Sequence, residues 1–270
     1  MEELRLKAPA KLNLHLQVLK KREDGFHDLS SLFTLINLYD SLIFKEQNKN
    51  IDLVESSPIE NNIVFLAAKL LKEYSGTNKG ASIELKKSIP CQKGLGGGSS
   101  DAAATLIGLT KLWKLNVSRK ELFNIAIKLG SDVPFFLFGE TAWALGRGEI
   151  LNRYPYSEKY FLLFYPERGI STADAFKEVP TNYKVEITAE NYTAKKSFNS
   201  FEGWIRRTYP DIDKIFNDLV LIGIPRLSGT GSTVFVEFDS LEDALEGKEK
   251  FPELVLVKSL DRSPLMQIIE

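Results

Sequence analysis

Hydrophobic and polar residues alternate along the segment from Lys11 to Val18. One face carries Leu12, Leu14, Leu16 and Val18. The other face carries Lys11, Asn13, His15 and Gln17. A period of two is typical of a strand with one buried face. We therefore expect Lys11, Asn13 and His15 to be neighbours on the polar face, where they are either solvated or line a pocket.

The rest of the chain changes between strand and helical periods. Strands are predicted within 29–46, 80–90, 159–172, 224–238 and 253–261, the first of them with interruptions. Helices are predicted over 62–76, 101–115, 118–130 and 240–251, and over 197–219 with a break at Pro210. This mixture indicates an α+β protein. We expect two domains, residues 1–152 and 153–270.

Composition and charge narrow the class of protein. The chain has 270 residues, and its 35 basic and 36 acidic side chains give a formal net charge of −1, which argues against a nucleic-acid partner. The single cysteine, Cys91, excludes an intramolecular disulfide, and the apolar runs are shorter than the ~20 residues that cross a bilayer. We expect a cytoplasmic monomer or weak homodimer with no membrane partner.

The segment 89–103, IPCQKGLGGGSSDAA, contains four glycines in five positions. Glycine is favoured where the backbone needs a positive φ or a close approach to a ligand. A helix expected directly afterwards presents unpaired N–H groups and the positive end of its dipole, so loop and helix together suit a phosphate. Ser99 and Ser100 would add hydroxyl donors, and Lys93 a positive charge. The alternative is a flexible loop in which a serine or Asp101 caps the helix.

Two further segments carry candidate chemistry. Asp132 precedes the apolar stretch VPFFLF, where it is either a helix cap or a carboxylate with a functional partner. A lysine and an aspartate that flank a phosphate loop suit phosphoryl transfer, which depends on positioning and charge stabilisation. The segment LSGTGSTVFVEF, residues 227–238, is a glycine turn that enters a strand, and its backbone N–H groups are a second candidate for contact with an anion.

Together these segments resemble the three motifs of the GHMP kinase superfamily. The motifs are APAKLNLHL, PCQKGLGGGSSDAA, which has one additional glycine, and LSGTGSTVF. Within the superfamily, PAKLNLHLQVLKKREDGFHDLSSLF and GSDVPFFLFGETAWALGRGE are similar to the kinases of 4-diphosphocytidyl-2-C-methyl-D-erythritol. Those kinases usually have Gly-Tyr-His where this chain has Gly25-Phe26-His27. Phe26 keeps the stacking face of a tyrosine and lacks only its hydroxyl.

The resemblance implies a reaction and a fold. The reaction is ATP-dependent phosphorylation of the 2-hydroxyl of this cytidine diphosphate substrate, with the 2-phosphate and ADP as products. The fold is the two-domain α+β fold of GHMP kinases, with a ribosomal-protein-S5-like N-terminal domain and a ferredoxin-like C-terminal domain. Mg²⁺ is expected to accompany ATP, held largely by phosphate oxygens and water, with Ser100 as a candidate protein ligand.

The resemblance also assigns roles to matching positions. Lys11 and Asp132 match the catalytic pair. The ATP phosphates are expected on Pro90, Lys93, Gly94, Leu95, Gly96, Gly97, Gly98, Ser99 and Ser100. The substrate is expected on Asn13, Phe26, His27, Phe176, Gly229 and Thr230. His27 is expected to bond the cytosine edge, and Phe26 and Phe176 to sandwich the ring.

Two alternatives stay open at this point. The first is a GHMP kinase for mevalonate, a mevalonate phosphate or homoserine. The segment DGFHD argues against it, because such small substrates need neither an aromatic platform nor a directional hydrogen bond to a base. The second is a nucleotide-binding relative without catalysis, and the presence of both Lys11 and Asp132 argues against that.

Overall fold

The computed structural model of the protein describes residues 3–55, 62–181 and 186–269. The strands are β1 (Glu3–Lys21), β2 (His27–Asn48), β3 (Ile51–Glu55), β4 (Lys79–Lys86), β5 (Ala142–Gly146), β6 (Ile150–Arg153), β7 (Tyr160–Phe164), β8 (Pro225–Leu227), β9 (Val234–Phe238) and β10 (Val255–Leu260). The helices are α1 (Ile63–Ser75), α2 (Gly97–Leu112), α3 (Arg119–Leu129), α4 (Val133–Phe138), α5 (Thr172–Glu178), α6 (Glu202–Thr208), α7 (Pro210–Leu219), α8 (Leu241–Lys250) and α9 (Met266–Ile269). Within these ranges no helix is both long and apolar enough to span a membrane.

The described strands form one mixed sheet around β2. The hydrogen-bonded order is β3-β4-β2-β10-β7-β9-β8, with β1 and β5 also paired to β2 and β6 paired to β5. Strand β10 pairs antiparallel with both β2 and β7, so the end of the chain joins the two halves of the sheet. The α+β character is as predicted. The domain boundary at 152/153 falls inside β6 and stays a prediction.

Two large hydrophobic clusters fill the interior, and β1 contributes to both. Leu6 and Ala8 pack in the cluster under α1 and α2, whereas Leu16 and Val18 pack in the cluster around α6 and α7. Gly108 of α2 brings this helix close to β2, because a Cβ there would lie 2.7 Å from a ring carbon of Phe44. The middle of β1, at Ala10 and Leu12, packs in a third, smaller cluster that also contains Phe161 and Phe235.

The structure confirms the helices predicted over 62–76, 101–115, 118–130, 197–219 and 240–251. Asn62 caps α1, and Ser118 forms a capping box with Glu121 at the start of α3. Pro210 separates α6 from α7. Helix α2 begins at Gly97, four residues before the predicted start, because two glycines enter its first turn. Strand β2 runs through 29–46 without the predicted interruptions, and α5 was not predicted.

A β-bulge in β1 corrects the expected position of His15. Asn13 pairs with Phe33 and His15 with Leu32, so Leu14 is an extra residue between them. One extra residue reverses the alternation of side chains, which moves His15 off the face of Lys11 and Asn13. His15 is instead 1% exposed and stacks on Trp143 with ring centroids 5.8 Å apart. The expectation that His15 joins that face was wrong.

Candidate active site

Both halves of the chain line one cavity of about 920 Å³. The N-terminal half contributes part of β1, the start of β2 and the glycine loop, and the C-terminal half contributes α5 and the turn at 229–231. The expected site residues that line it are Lys11, Asn13, Phe26, His27, Pro90, Lys93, Gly94, Leu95, Gly96, Gly97, Gly98, Ser99, Asp132, Phe176, Gly229 and Thr230. Ser100 is fully buried directly behind this lining. Folding thus brings distant segments to one cleft.

Lys11 is the centre of the polar contacts in this cavity. Its Nζ lies 3.4 Å from Oδ2 of Asp132 and donates to Oδ1 of Asn13. The Asn13 amide is itself oriented, because its Nδ2 donates to Oγ of Ser31 at 3.0 Å. The backbone N–H of Lys11 donates to the carbonyl of Leu95 at 3.0 Å, which ties β1 to the glycine loop. The ammonium is buried, so its charge is screened little by solvent.

Asp132 occupies the N-cap position of α4, but its carboxylate makes no capping hydrogen bond among the described residues. A proline in the first turn, Pro134, removes one N–H group that would need a cap. About a third of the Asp132 side chain is exposed. The carboxylate is therefore available to the cleft, where Lys11 is its ion-pair partner.

The glycine loop has the geometry of an anion site. Gly94 and Gly96 have φ values of 72° and 70°. A Cβ at Gly94 would lie 2.0 Å from the carbonyl oxygen of Ser228, so only glycine fits there. Helix α2 starts without a side-chain cap among the described residues, which leaves its first-turn N–H groups for another acceptor. Behind them, Oγ of Ser100 is buried with no hydrogen-bond partner in the described ranges.

The glycine turn at 229–231 and the residue before it, Ser228, contact the glycine loop. Oγ of Ser228 donates to the carbonyl of Gly94 at 2.9 Å and accepts from the backbone N–H of Asn13 at 3.3 Å. A Cβ at Gly229 would lie 3.1 Å from Cα of Gly94. Nδ2 of Asn199 fixes the turn by donating to the carbonyls of Leu227 and Gly229. The turn, β1 and the glycine loop therefore form one connected backbone assembly.

Sequence reasoning missed an ionic cluster behind the glycine loop. Nζ of Lys87 bonds carboxylate oxygens of both Asp40 and Asp101, the latter at 2.7 Å. Oδ1 of Asp40 also accepts from the backbone N–H groups of Ser88 and Ile89, at 2.6 and 2.8 Å. Burial raises the pKa of Asp101 to about 7, against the attraction of Lys87. In the sequence, only Asp40 could have indicated this cluster, because it is an isolated acidic residue in an apolar strand.

The opposite end of the cavity is aromatic. The guanidinium of Arg147 lies 4.6 Å from the ring centroid of Phe26, whose side chain is half exposed. The rings of His27 and Phe176 are stacked, with centroids 5.0 Å apart and an interplanar angle of 29°. Phe176 also meets Phe201 edge to face at 4.9 Å. Burial lowers the pKa of His27, and the charge of nearby Lys21 lowers it further.

Lys93 lines the cavity but directs its ammonium away from the first turn of α2. Its Nζ donates to three consecutive backbone carbonyls, those of Pro166, Glu167 and Arg168. Since a lysine ammonium has three N–H bonds, these contacts use all of its donors. Burial lowers the pKa of this lysine, with the carboxylate of Glu167 acting in the other direction.

Comparison with known proteins gives consistent findings. Residues 62–140 match the family described as GHMP kinases N terminal domain. Over 97% of each sequence, the chain is 38% identical to a 4-diphosphocytidyl-2-C-methyl-D-erythritol kinase of Acinetobacter baylyi. A crystal structure of a 4-(cytidine 5'-diphospho)-2C-methyl-D-erythritol kinase is 32% identical with a TM-score of 0.81, covering 95% of this chain and 99% of that one.

A more distant structure tests the fold alone. Homoserine kinase from Cytophaga hutchinsonii is 16% identical, with a TM-score of 0.73 over 97% of this chain and 96% of that one. The GHMP kinase fold expected from the sequence is therefore confirmed.

Proposed function

The chain belongs to the 4-diphosphocytidyl-2-C-methyl-D-erythritol kinases of the GHMP kinase superfamily, and from that membership we propose its reaction in atomic terms. The protein is an ATP-dependent small-molecule kinase of isoprenoid precursor biosynthesis. The acceptor is the 2-hydroxyl of 4-diphosphocytidyl-2-C-methyl-D-erythritol, and the products are the 2-phosphate and ADP. Lys11 and Asp132 form the catalytic pair.

One observation carries this proposal. The ion pair between Lys11 and Asp132 lies in the same cavity as the glycine loop and the aromatic residues Phe26 and Phe176. A kinase of a nucleotide-linked alcohol needs a binding site for the ATP phosphates and an aromatic surface for the base of its substrate. Here both lie next to one ion pair. Mevalonate and homoserine would leave the aromatic end of such a cavity unused.

The residues of the glycine loop fit ATP. Two glycines with positive φ and the uncapped start of a 16-residue helix offer backbone N–H groups to an anion. When bound, Mg·ATP supplies the phosphoryl group, and its metal ion neutralises charge on the phosphate oxygens. Ser100, whose buried hydroxyl has no partner among the described residues, is the protein group we assign to that metal. Those residues contain no cluster of three or more His, Cys, Asp or Glu side chains suited to a metal ion.

The two charged groups of the catalytic pair have different roles. The carboxylate of Asp132 accepts a hydrogen bond from the 2-hydroxyl and takes its proton as the oxygen attacks. The ammonium of Lys11 stabilises the negative charge that develops on that oxygen. Asn13 holds Lys11 in place through its Oδ1, and Ser31 holds the Asn13 amide. Positioning of these groups before the reaction is the main contribution of the chain.

The cytosine ring is proposed to bind between Phe26 and Phe176, next to His27. Since Phe176 stacks on His27 in this structure, Phe176 must separate from His27 to admit the base. The lowered pKa of His27 favours a neutral imidazole, which keeps one donor and one acceptor for the cytosine edge. Gly229 and Thr230 line the cavity between the two ends and are proposed to contact the substrate.

Four further properties of the chain belong to the proposal: its division into two parts, its location, its oligomeric state and its partners. The chain is divided functionally into residues 1–152, with the phosphate loop and catalytic pair, and residues 153–270, which complete the cleft. It acts in the cytoplasm as a monomer or weak homodimer, without a nucleic-acid or membrane partner. The formal net charge of −1 supports the absence of nucleic acid.

The test is ADP release by the purified protein with Mg·ATP. Three acceptors are compared at equal concentration: 4-diphosphocytidyl-2-C-methyl-D-erythritol, mevalonate and homoserine. Turnover on the cytidyl acceptor alone is expected. Turnover on mevalonate or homoserine instead would refute the proposed substrate and leave the phosphoryl-transfer chemistry standing.

A further inference from the structure

Lys93 is a buried lysine whose ammonium is held by backbone carbonyls. Only 8% of the residue is exposed, and the carboxylate of Glu167 acts on its charge without a hydrogen bond to it in the described ranges. Its partners are three consecutive carbonyl oxygens, including those of Glu167 at 2.7 Å and Arg168 at 2.6 Å. Residues 166–168 therefore curve around the end of a side chain that belongs to the glycine loop.

Such a curve is unfavourable without a cation at its centre. Three carbonyl dipoles that point to one place repel each other, and a positive charge converts this repulsion into three charge-assisted hydrogen bonds. Oγ of Ser232 also donates to the carbonyl of Arg168 at 2.7 Å, and the Arg168 side chain pairs with Asp211 at 3.1 Å. Among the described residues only Lys93 bonds all three carbonyls, so the curve of 166–168 depends on its ammonium.

The glycine loop depends on this side chain much less. The carbonyl of Lys93 accepts from the backbone N–H of Thr233 at 3.3 Å, that of Gly94 from Ser228, and that of Leu95 from Lys11. These three bonds stay when the side chain is changed. Loss of the ammonium should therefore release 166–168 and leave the glycine loop in place.

The segment held by Lys93 leads directly to the aromatic end of the cleft. It continues through Ile170, whose N–H donates to the carbonyl of Gln92 at 3.4 Å, into α5. Helix α5 begins at the Ser171 cap and carries Phe176. With only seven residues, α5 depends on its attachments for its position.

We propose that Lys93 is a positioning residue that fixes segment 166–171 on the glycine loop and thereby sets the position of Phe176 for the cytidine group. This inference rests on the proposed function. Lys93 thus acts on the end of the cleft that is proposed to bind the cytosine ring, although the residue itself lies in the loop proposed to wrap the phosphates.

The test compares Lys93→Met, which keeps the length of the side chain and removes its charge, with the wild type. We expect KM for the cytidyl substrate to rise about tenfold, while KM for ATP and kcat stay within about twofold. Lys248→Met is the matched control, because the Lys248 ammonium also bonds a backbone carbonyl, that of Leu254 at 3.0 Å, but lies outside the cavity. This control should match the wild type in all three constants.

A second measurement does not need turnover. Amide hydrogen exchange should become faster across 166–176 in Lys93→Met and stay unchanged in the first turn of α2. If the Met variant does not fold, Lys93→Ala with added propylammonium replaces it. The free cation should then lower KM for the cytidyl substrate and slow exchange across 166–176.

The outcomes separate this inference from the proposed function. Equal rises in both KM values, unchanged exchange across 166–176, or no response of Lys93→Ala to propylammonium would overturn the role of Lys93. Failure of the wild type to phosphorylate the cytidyl substrate would overturn the proposed function instead, and the exchange measurement would still decide whether Lys93 holds the segment.

Discussion

The two ends of the cleft are built in different ways. The end proposed to bind the ATP phosphates, here called the phosphate end, consists of backbone: Gly94 and Gly96 at positive φ, the start of α2, and the supporting turn at Ser228. The end proposed to bind the cytosine ring, here called the pyrimidine end, consists of side chains on the protein surface and on a short helix, with Phe26 half exposed and Phe176 stacked on His27. Backbone fixed by many hydrogen bonds is ready for its ligand, whereas stacked side chains must rearrange. We therefore expect substitutions at the two ends to have different effects on ligand binding and on stability.

The largest effect is expected at the ion pair between the two ends. Asp132→Asn keeps the shape of the side chain and removes the proposed proton acceptor, so kcat should fall by about 10²–10⁴-fold. Binding of ATP and of the cytidyl substrate should be nearly unchanged, because neither end of the cleft is altered. Turnover and calorimetric binding are the two measurements. A kcat within a few fold of the wild type would remove Asp132 from the catalytic pair.

The next largest effect is expected at the phosphate end. Gly94→Ala combines a φ of 72° with a Cβ that would lie 2.0 Å from the carbonyl oxygen of Ser228. The loop must move, so KM for ATP should rise more than about tenfold and the free energy of unfolding should fall by about 1–3 kcal/mol.

Gly98→Ala is the matched control for the stability part of this experiment. The nearest atom to a Cβ at Gly98 is Cγ2 of Ile63 at 3.6 Å, which is ordinary contact. The midpoint temperature of its thermal unfolding should equal that of the wild type or be slightly higher. Equal stability losses in the Gly94 and Gly98 variants would mean that close packing does not fix the loop.

At the pyrimidine end we expect a pure binding effect. Phe176→Ala removes one stacking surface, so KM for the cytidyl substrate should rise about 10–100-fold while KM for ATP stays within about twofold. Steady-state kinetics with each substrate varied in turn gives both constants. A parallel rise in both KM values would show that the two ends of the cleft are not independent.

The smallest effect is a pH dependence at the phosphate end. Asp101 has a pKa of about 7, so raising the pH through 7 adds a negative charge next to the glycine loop. Bound phosphates are then repelled, and KM for ATP should rise about threefold between about pH 6 and pH 8. In Asp101→Asn this rise should disappear. An identical pH profile in both proteins would contradict the role given to Asp101.

Part of the site was predictable because its signals lie close together in the chain. The glycine loop, the helix after it and Asp132 were all identified within short segments, and the structure brings them to one cavity. The stacking of Phe176 on His27 was not predictable, since nothing near either residue specifies the other. The position of His15 was predicted wrongly, because a one-residue bulge is invisible in a pattern of period two.

By itself, the sequence determined the helices over 62–76 and 118–130, the break at Pro210 and the glycine loop. Each of these depends on residues within a few positions of one another, where hydrogen bonds and dihedral preferences are local. Only the tertiary structure decided which partners the buried charges have. Lys87 meets Asp40 across 47 residues, and Lys93 meets the carbonyls of 166–168 across 73 to 75 residues. A contact between residues so far apart leaves no local pattern, because it is created only when the packed sheet brings the two segments together.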